Sequence, residues 1–215
     1  MRNLLPLFLD VTDRDVLLVG GGPVAAGKLR QLLAAGARVR VVAREVSAEL
    51  RDAASVAVRI EQRSFDPRDL DGVWLAVAAA TPDANREVAR AADARRVFVN
   101  AVDDPPNASA FLSGVVRREG VTIAVSTSGD APALTALVRE ALDALLPRDL
   151  RTWMLTAREE RVRWRRDAVP MAQRKPRLLR ALNELYDDDR PSRSDAERSA
   201  AANVPGLSGP EDSWL

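Results

Sequence analysis

Neither cysteine nor histidine occurs in this 215-residue chain. The first absence excludes disulfides, thiolate metal sites and cysteine nucleophiles. The second removes the commonest general base, the usual zinc ligand and any Ser-His-Asp triad. Proton transfer therefore falls to a carboxylate, Lys28, Lys175, Tyr186 or a hydroxyl, and no metal site is expected. Lysine is scarce too, since every cation except Lys28 and Lys175 is an arginine, a side chain suited to bidentate grips on carboxylate or phosphate. No run of eighteen apolar residues occurs, and Met1 to Asp10 lacks the basic start, apolar middle and cleavage site of a signal peptide. A cytoplasmic protein with no membrane partner is the expectation.

Charge is nearly balanced, with 32 Lys or Arg against 31 Asp or Glu, but it is unevenly spread. Between Arg148 and Arg180 eleven cations face four anions, so a basic segment adjoins a mildly acidic body. Charge runs of this kind are usually solvated faces; a nucleic-acid surface would need a reading motif, and none is present, so no nucleic-acid partner is expected.

The stretch Val16 to Lys28, V-L-L-V-G-G-G-P-V-A-A-G-K, organises what is there. A branched apolar run ends in three glycines and passes at once into an alanine-rich helical segment. Gly20, Gly22 and Ala25 fit the G-x-G-x-x-G/A dinucleotide fingerprint: a tight turn, close approach of a pyrophosphate, and close helix packing. The spacing predicts strands at 15–19, 38–42, 56–60, 73–78 and 97–99, with helices over 23–35 and from a Thr81 cap to about Ala94. The Asp66 to Leu70 segment reads as a turn or short helix. This alternation predicts an α/β fold, a Rossmann-like parallel sheet with helices on both faces and its ligand crevice at the carboxyl ends of the strands. Beyond it, 110–116 and 121–126 read as a hairpin joined by the turn Arg117 to Gly120. Helices follow over 132–145, 150–166 and 174–186, and an aperiodic tail expected to be disordered begins at Asp187.

Three constellations carry chemistry. Gly20, Gly21, Gly22, Pro23, Val24 and Ala25 form the candidate nucleotide turn, with Thr81 and Asn100 at later strand ends. The acid that usually holds the adenosine ribose is missing after the second strand, where the chain reads Val42-Ala43-Arg44-Glu45. Glu45 stands slightly further along, while Arg44 suits a 2′-phosphate, so the residues leave NAD and NADP open. Asp103 follows the fifth strand, where partial burial beside the crevice would raise its pKa and fit it for proton abstraction; the competing reading is a polar turn. Ser126, Thr127, Ser128 and Gly129 make a hydroxyl and glycine loop able to bind carboxylates or phosphates. Plain capping of the next helix, by Asp130 for example, is the alternative.

Together, V-G-G-G-P-V-A-x-x-K at 19–28, W-L-A-V-A-A-A-T at 74–81, V-N-A-V-D-D-P at 99–105 and A-V-S-T-S-G-D-A-P-A-L at 124–134 resemble the precorrin-2 dehydrogenase family, the N-terminal module of siroheme synthase. The resemblance covers roughly Leu4 to Tyr186. It implies NAD-dependent oxidation of precorrin-2 to sirohydrochlorin, in some members followed by insertion of Fe2+ as a second substrate. It also implies a homodimer, with an NAD-binding domain over 1–112, a dimerisation region over 113–147 and an arginine-rich helical domain over 148–186. The family's essential aspartate falls on Asp103 and its substrate-side hydroxyl loop on Ser126 and Thr127; in some members the residue matching Thr127 is a phosphorylated serine. Ser128, Ala131 and Gly114 depart from the usual family pattern, which touches the tetrapyrrole side more than the cofactor side. The methyltransferase half of fused siroheme synthases is not expected in a chain this short. A sensor or carrier that kept the fold and lost the chemistry is the rival reading.

Overall fold

The computed structural model describes residues 3–187. Five short, branched and alanine-rich segments form one parallel sheet: β1 (Asp15–Val19), β2 (Arg38–Ala43), β3 (Val58–Gln62), β4 (Leu75–Ala78) and β5 (Phe98–Ala101), in the order β3-β2-β1-β4-β5. Their central positions are nearly continuous apolar runs because both faces are covered. Val16, Leu18, Val41 and Val77 pack on one face against Ala25, Ala26 and Leu29 of α1 (Pro23–Ala34) and Leu50 of α2 (Ala48–Asp52). Leu17, Val19, Ala76, Ala78 and Val99 pack on the other against Val88, Ala89 and Ala92 of α3 (Pro82–Ala94). The strand order reverses between β1 and β4, which opens a crevice at their carboxyl ends.

Local chemistry sets the boundaries. Pro23 occupies the first turn of α1, where its missing N–H costs nothing, and Gly36 at φ +79° turns the chain after it. Ser47 caps α2 and Thr81 caps α3 through their side-chain oxygens. The five-residue α2 is too short to show a helical period and is absent from the sequence expectation. Two strands begin two residues later than expected: β3 because Val56 is solvent-exposed ahead of a Ser55–Val58 bridge, and β4 because Trp74 is half exposed, with the Arg14 guanidinium stacked on its ring.

After the sheet come β6 (Gly114–Arg118) and β7 (Val121–Val125), a separate two-stranded hairpin whose turn residues Glu119 and Gly120 both take positive φ. The first of these strands starts later than expected because the N–H groups of Ser109 and Ala110 both bond the carbonyl of Val99. Helices α4 (Pro132–Leu145), α5 (Leu150–Arg166) and α6 (Met171–Asp187) complete the described chain. The expected tail and Trp214 lie outside the described residues. The described chain divides into two compact units, one holding the sheet together with 122–145, the other holding 118–121 and 146–187. Within the second unit Trp153 Nε1 donates to the Tyr186 hydroxyl at 2.5 Å, and that hydroxyl donates to Asp149. Tyr186 thus ties α5 to α6, and the Asp149 carboxylate accepting its proton pushes the phenol pKa up.

Gly20 is one of the two tightest points of the fold, and it alone of the pair has positive φ. Its φ is +132°, and a Cβ there would lie 2.1 Å from the carbonyl oxygen of Ala79. Gly20→Ala is expected to destabilise the protein by about 3 kcal/mol or more, through left-handed strain plus a backbone collision. Thermal or urea denaturation checks this directly.

Candidate active site

The three glycines do different things. Gly20 presses on Ala79 at the end of β4, and Gly21 lies so close to the strand-end loop of β2 that a Cβ would sit 1.8 Å from the Glu45 carbonyl oxygen. The Ser47 N–H bonds the Gly21 carbonyl at 2.9 Å and fixes that approach. Gly22, by contrast, has nothing within 4 Å of where its Cβ would be, and as N-cap of α1 it offers no side-chain cap. The result is a backbone cradle open to solvent at a helix N-terminus, the form an anionic pyrophosphate requires. Pro23 and Val24 are exposed beside it and Ala25 is fully buried against the sheet. Arg44 and Glu45 both project to solvent after β2.

Asn100, at the end of β5, is 7% exposed. Its amide nitrogen donates to the Ala110 carbonyl at 3.0 Å, while its Oδ1 is buried with no partner. An orphaned buried acceptor costs roughly 1–3 kcal/mol, which a donor on a bound ligand would recover. The closed glycine turn, the open Gly22 side and this acceptor together fit a dinucleotide.

Asp103 and Asp104 have separated roles. Asp104 accepts from Asn107 Nδ2 through both oxygens, at 3.0 and 2.8 Å, and heads the short 3-10 turn Pro105–Asn107. Asp103 stands two residues beyond β5 in the left-handed region at φ +55°, a conformation that costs a non-glycine residue energy. It is exposed, not half-buried as the sequence reading expected. Its charge reaches Lys28 on α1: burial pushes the Lys28 ammonium below the ordinary lysine range, and Asp103 opposes that shift.

Asn85 is a site residue the sequence reading missed. It is 3% exposed; its Oδ1 accepts from the Ala80 N–H at 3.0 Å and its Nδ2 donates to the Val102 carbonyl at 3.4 Å. One amide therefore ties the exit of β4 to the residue preceding Asp103. The signal lay in its phase, since 85, 88, 89 and 92 form the buried stripe of α3. Thr81, assigned to the cofactor by sequence, caps the same helix.

The hydroxyl loop lies against the Asp103 loop. A Cβ on Gly129, at φ +85°, would come within 2.9 Å of Pro105 Cγ and 3.7 Å of Phe111. Thr127, rather than Asp130, takes the N–H of Ala131 at 3.2 Å, and its hydroxyl shares a 2.9 Å bond with that of Thr135. Ser126 Oγ accepts from the Ser128 N–H at 3.1 Å. Gly114 is also explained, because a Cβ there would meet Thr135 Cγ2 at 2.9 Å.

Comparison with known proteins bears on this arrangement. A family model described as putative NAD(P)-binding matches residues 7–114, and one described as sirohaem biosynthesis protein central matches 118–145. The chain is 38% identical over 200 residues to the siroheme synthase of Citrobacter koseri, covering 92% of this chain and 43% of that protein. It is 41% identical over 187 residues to the siroheme synthase of Photorhabdus laumondii subsp. laumondii, covering 86% and 40%. It thus spans less than half the length of these relatives. A solved structure titled SirC, precorrin-2 dehydrogenase, is 25% identical with a TM-score of 0.62, covering 82% of this chain and 88% of that one.

Since a Cβ at position 22 would meet no protein atom within 4 Å, Gly22→Asp is expected to fold normally and to lose dinucleotide binding, its carboxylate filling the cradle with like charge. Calorimetric titration with NAD, alongside a denaturation curve, checks both halves.

Proposed function

The chain belongs to the precorrin-2 dehydrogenase family, the dehydrogenase module of siroheme synthases, and from that premise we propose that it oxidises precorrin-2 to sirohydrochlorin with NAD. The observation that carries the reading is a carboxylate without a structural duty, Asp103, on the strand-end loop that Asn85 couples to the loop facing the glycine turn. Bound NAD supplies a two-electron hydride acceptor. The overall change removes one hydride and one proton from the substrate, giving sirohydrochlorin, NADH and a released proton.

The protein's own residues divide the remaining work. Gly20, Gly21 and Gly22 with the first turn of α1, Pro23, Val24 and Ala25, hold the pyrophosphate, Ala25 seating that turn on the sheet. Asn100 presents its unpaired Oδ1 to a donor on the cofactor. Glu45 is the ribose partner, which favours NAD, while Arg44 beside it leaves tolerance for a 2′-phosphate. Asp103 accepts the substrate proton; an exposed carboxylate in water is a modest base, and crowding by a bound ring would strengthen it by desolvation. Ser126, Thr127, Ser128 and Gly129 line the substrate side through hydroxyls and backbone N–H groups. Fe2+ enters as a second substrate: the ring nitrogens bind the metal and Asp103 takes the pyrrolic protons, so no protein metal cage is required.

We assign 1–112 to cofactor binding, 113–147 to a dimer contact and 148–186 to the basic substrate lobe. Support for the dimer comes from α4, which buries none of its residues within the described chain and leaves Leu134, Leu137, Val138 and Leu145 exposed, Leu145 to 78%. A helix with that much unpartnered apolar surface needs a partner, and a second copy of the chain provides one. No helix among the described residues is long and apolar enough to cross a membrane, and we place the protein in the cytoplasm.

Asp103→Ala is expected to lower turnover by 100-fold or more, about the size of a missing acid–base catalyst, while the affinity for NAD stays unchanged; absorbance of NADH and sirohydrochlorin reads the first and titration the second. Unaltered turnover removes Asp103 from the chemistry. Repeating the wild-type assay with Fe2+ or Co2+ tests the second activity. For the assembly, Leu137→Glu is expected to shift the species seen by light scattering from dimer to monomer.

A further inference from the structure

The outer face of α1 borders an open cleft of about 440 Å³ whose charged lining is entirely cationic: Lys28, Arg30 and, from β6, Arg117, with Gln31 between them. Arg30 is spoken for, being paired with Glu49 of α2. Lys28 and Arg117 have no ion-pair or hydrogen-bond partner among the described residues, and Lys28 is half-buried. An unpaired, partly buried ammonium is unfavourable, and two cations across one cleft add to that cost. The arrangement is relieved by an anion that both can reach, and a carboxylate held by an ammonium and a guanidinium makes charge-assisted hydrogen bonds to each.

We propose that this cleft is a carboxylate subsite in which Lys28 and Arg117 hold one peripheral acid of the tetrapyrrole. The proposal rests on the reading of the substrate above and deepens it. Precorrin-2 carries eight carboxylates around its ring, so a subsite beside the crevice captures an edge of the ring and presents its centre elsewhere. Lys28 gives the subsite its direction, because the same ammonium that lines the cleft lies within electrostatic reach of Asp103. The burial that weakens the free ammonium is offset once a carboxylate is bound, so the ion pair forms at no cost in competing internal pairs. Lys28 and Arg117 are binding residues in this account and take no proton from the reacting atoms. The subsite is distinct from the arginine-rich helices, which belong to the other unit of the chain.

The test uses the full chain, Lys28→Met, Arg117→Met and the double variant, with Arg90→Met as a control cation on the opposite face of the sheet; methionine keeps the apolar stem of each side chain. Two readouts are taken: fluorescence titration with uroporphyrin, a stable tetrapyrrole with the same eight carboxylates, and steady-state oxidation of precorrin-2. Each single substitution is expected to weaken uroporphyrin binding and raise KM for precorrin-2 roughly tenfold, the double substitution more, as for loss of charge-assisted hydrogen bonds. Turnover at saturation and NAD affinity stay within about twofold in this scheme, the pattern of lost uniform binding. The salt dependence of uroporphyrin binding flattens in the double variant, and Arg90→Met matches the wild type. Wild-type affinities in the double variant overturn the subsite while leaving the dehydrogenase reading intact. A wild type that binds uroporphyrin through these two residues but forms no NADH supports the subsite and sinks the reaction.

Discussion

A close approach of two backbones, Gly20 at the end of β1 against the Ala79 carbonyl at the end of β4, fixes the mouth of the crevice on which everything else depends. It occurs at the switch point of the sheet, where β1 has neighbours leading off in opposite directions. Because a Cβ cannot exist at position 20, the turn is pinned from both sides, with Gly21 against Glu45 completing the pin. Asn85 carries the constraint onward, joining Ala80 to Val102 and so to the strained, exposed Asp103. Cofactor cradle and candidate base are thereby joined by two close backbone approaches and one buried side-chain amide.

The absence of histidine shapes the chemistry as much as any residue present. A dehydrogenation needs a hydride acceptor, which the cofactor supplies, and a proton acceptor of modest strength. A single aspartate is sufficient for the second where the departing proton is made acidic by loss of the hydride. The neighbouring Asp104, bound by Asn107, keeps the loop in shape and leaves Asp103 available. In the proposed reading, recognition of a polyanionic ring falls to cations and hydroxyls, among them the Lys28 and Arg117 cleft and the loop from Ser126 to Gly129.

Much of the architecture was legible from periodicity. β1, α1, α3, α4 and α5 run where the apolar spacing puts them; β1, α1 and α3 owe their positions to a full strand or one face of buried residues, while α4 keeps the period with that face exposed. What escaped was decided by particular backbone hydrogen bonds that the side-chain period does not encode. Whether Val56 or Val58 opens β3 depends on a bridge to Ser55, and where the hairpin begins depends on the Val99 carbonyl capturing two N–H groups. Within the site, the glycines and Asp103 stand out by residue type and position. Asn85 does not, since a polar residue on a helix reads as solvated until its phase with Val88 and Ala92 is noticed, and the exposure of Asp103 follows from a loop conformation that no spacing encodes.

The central claim is that the crevice is a working dehydrogenase site rather than a nucleotide sensor on the same fold. A single-turnover experiment decides it most directly: enzyme in excess over precorrin-2, saturating NAD, and simultaneous absorbance of NADH and sirohydrochlorin. The account predicts one NADH for each sirohydrochlorin formed, rising together at one rate. Binding of both NAD and precorrin-2 with no NADH produced would contradict it.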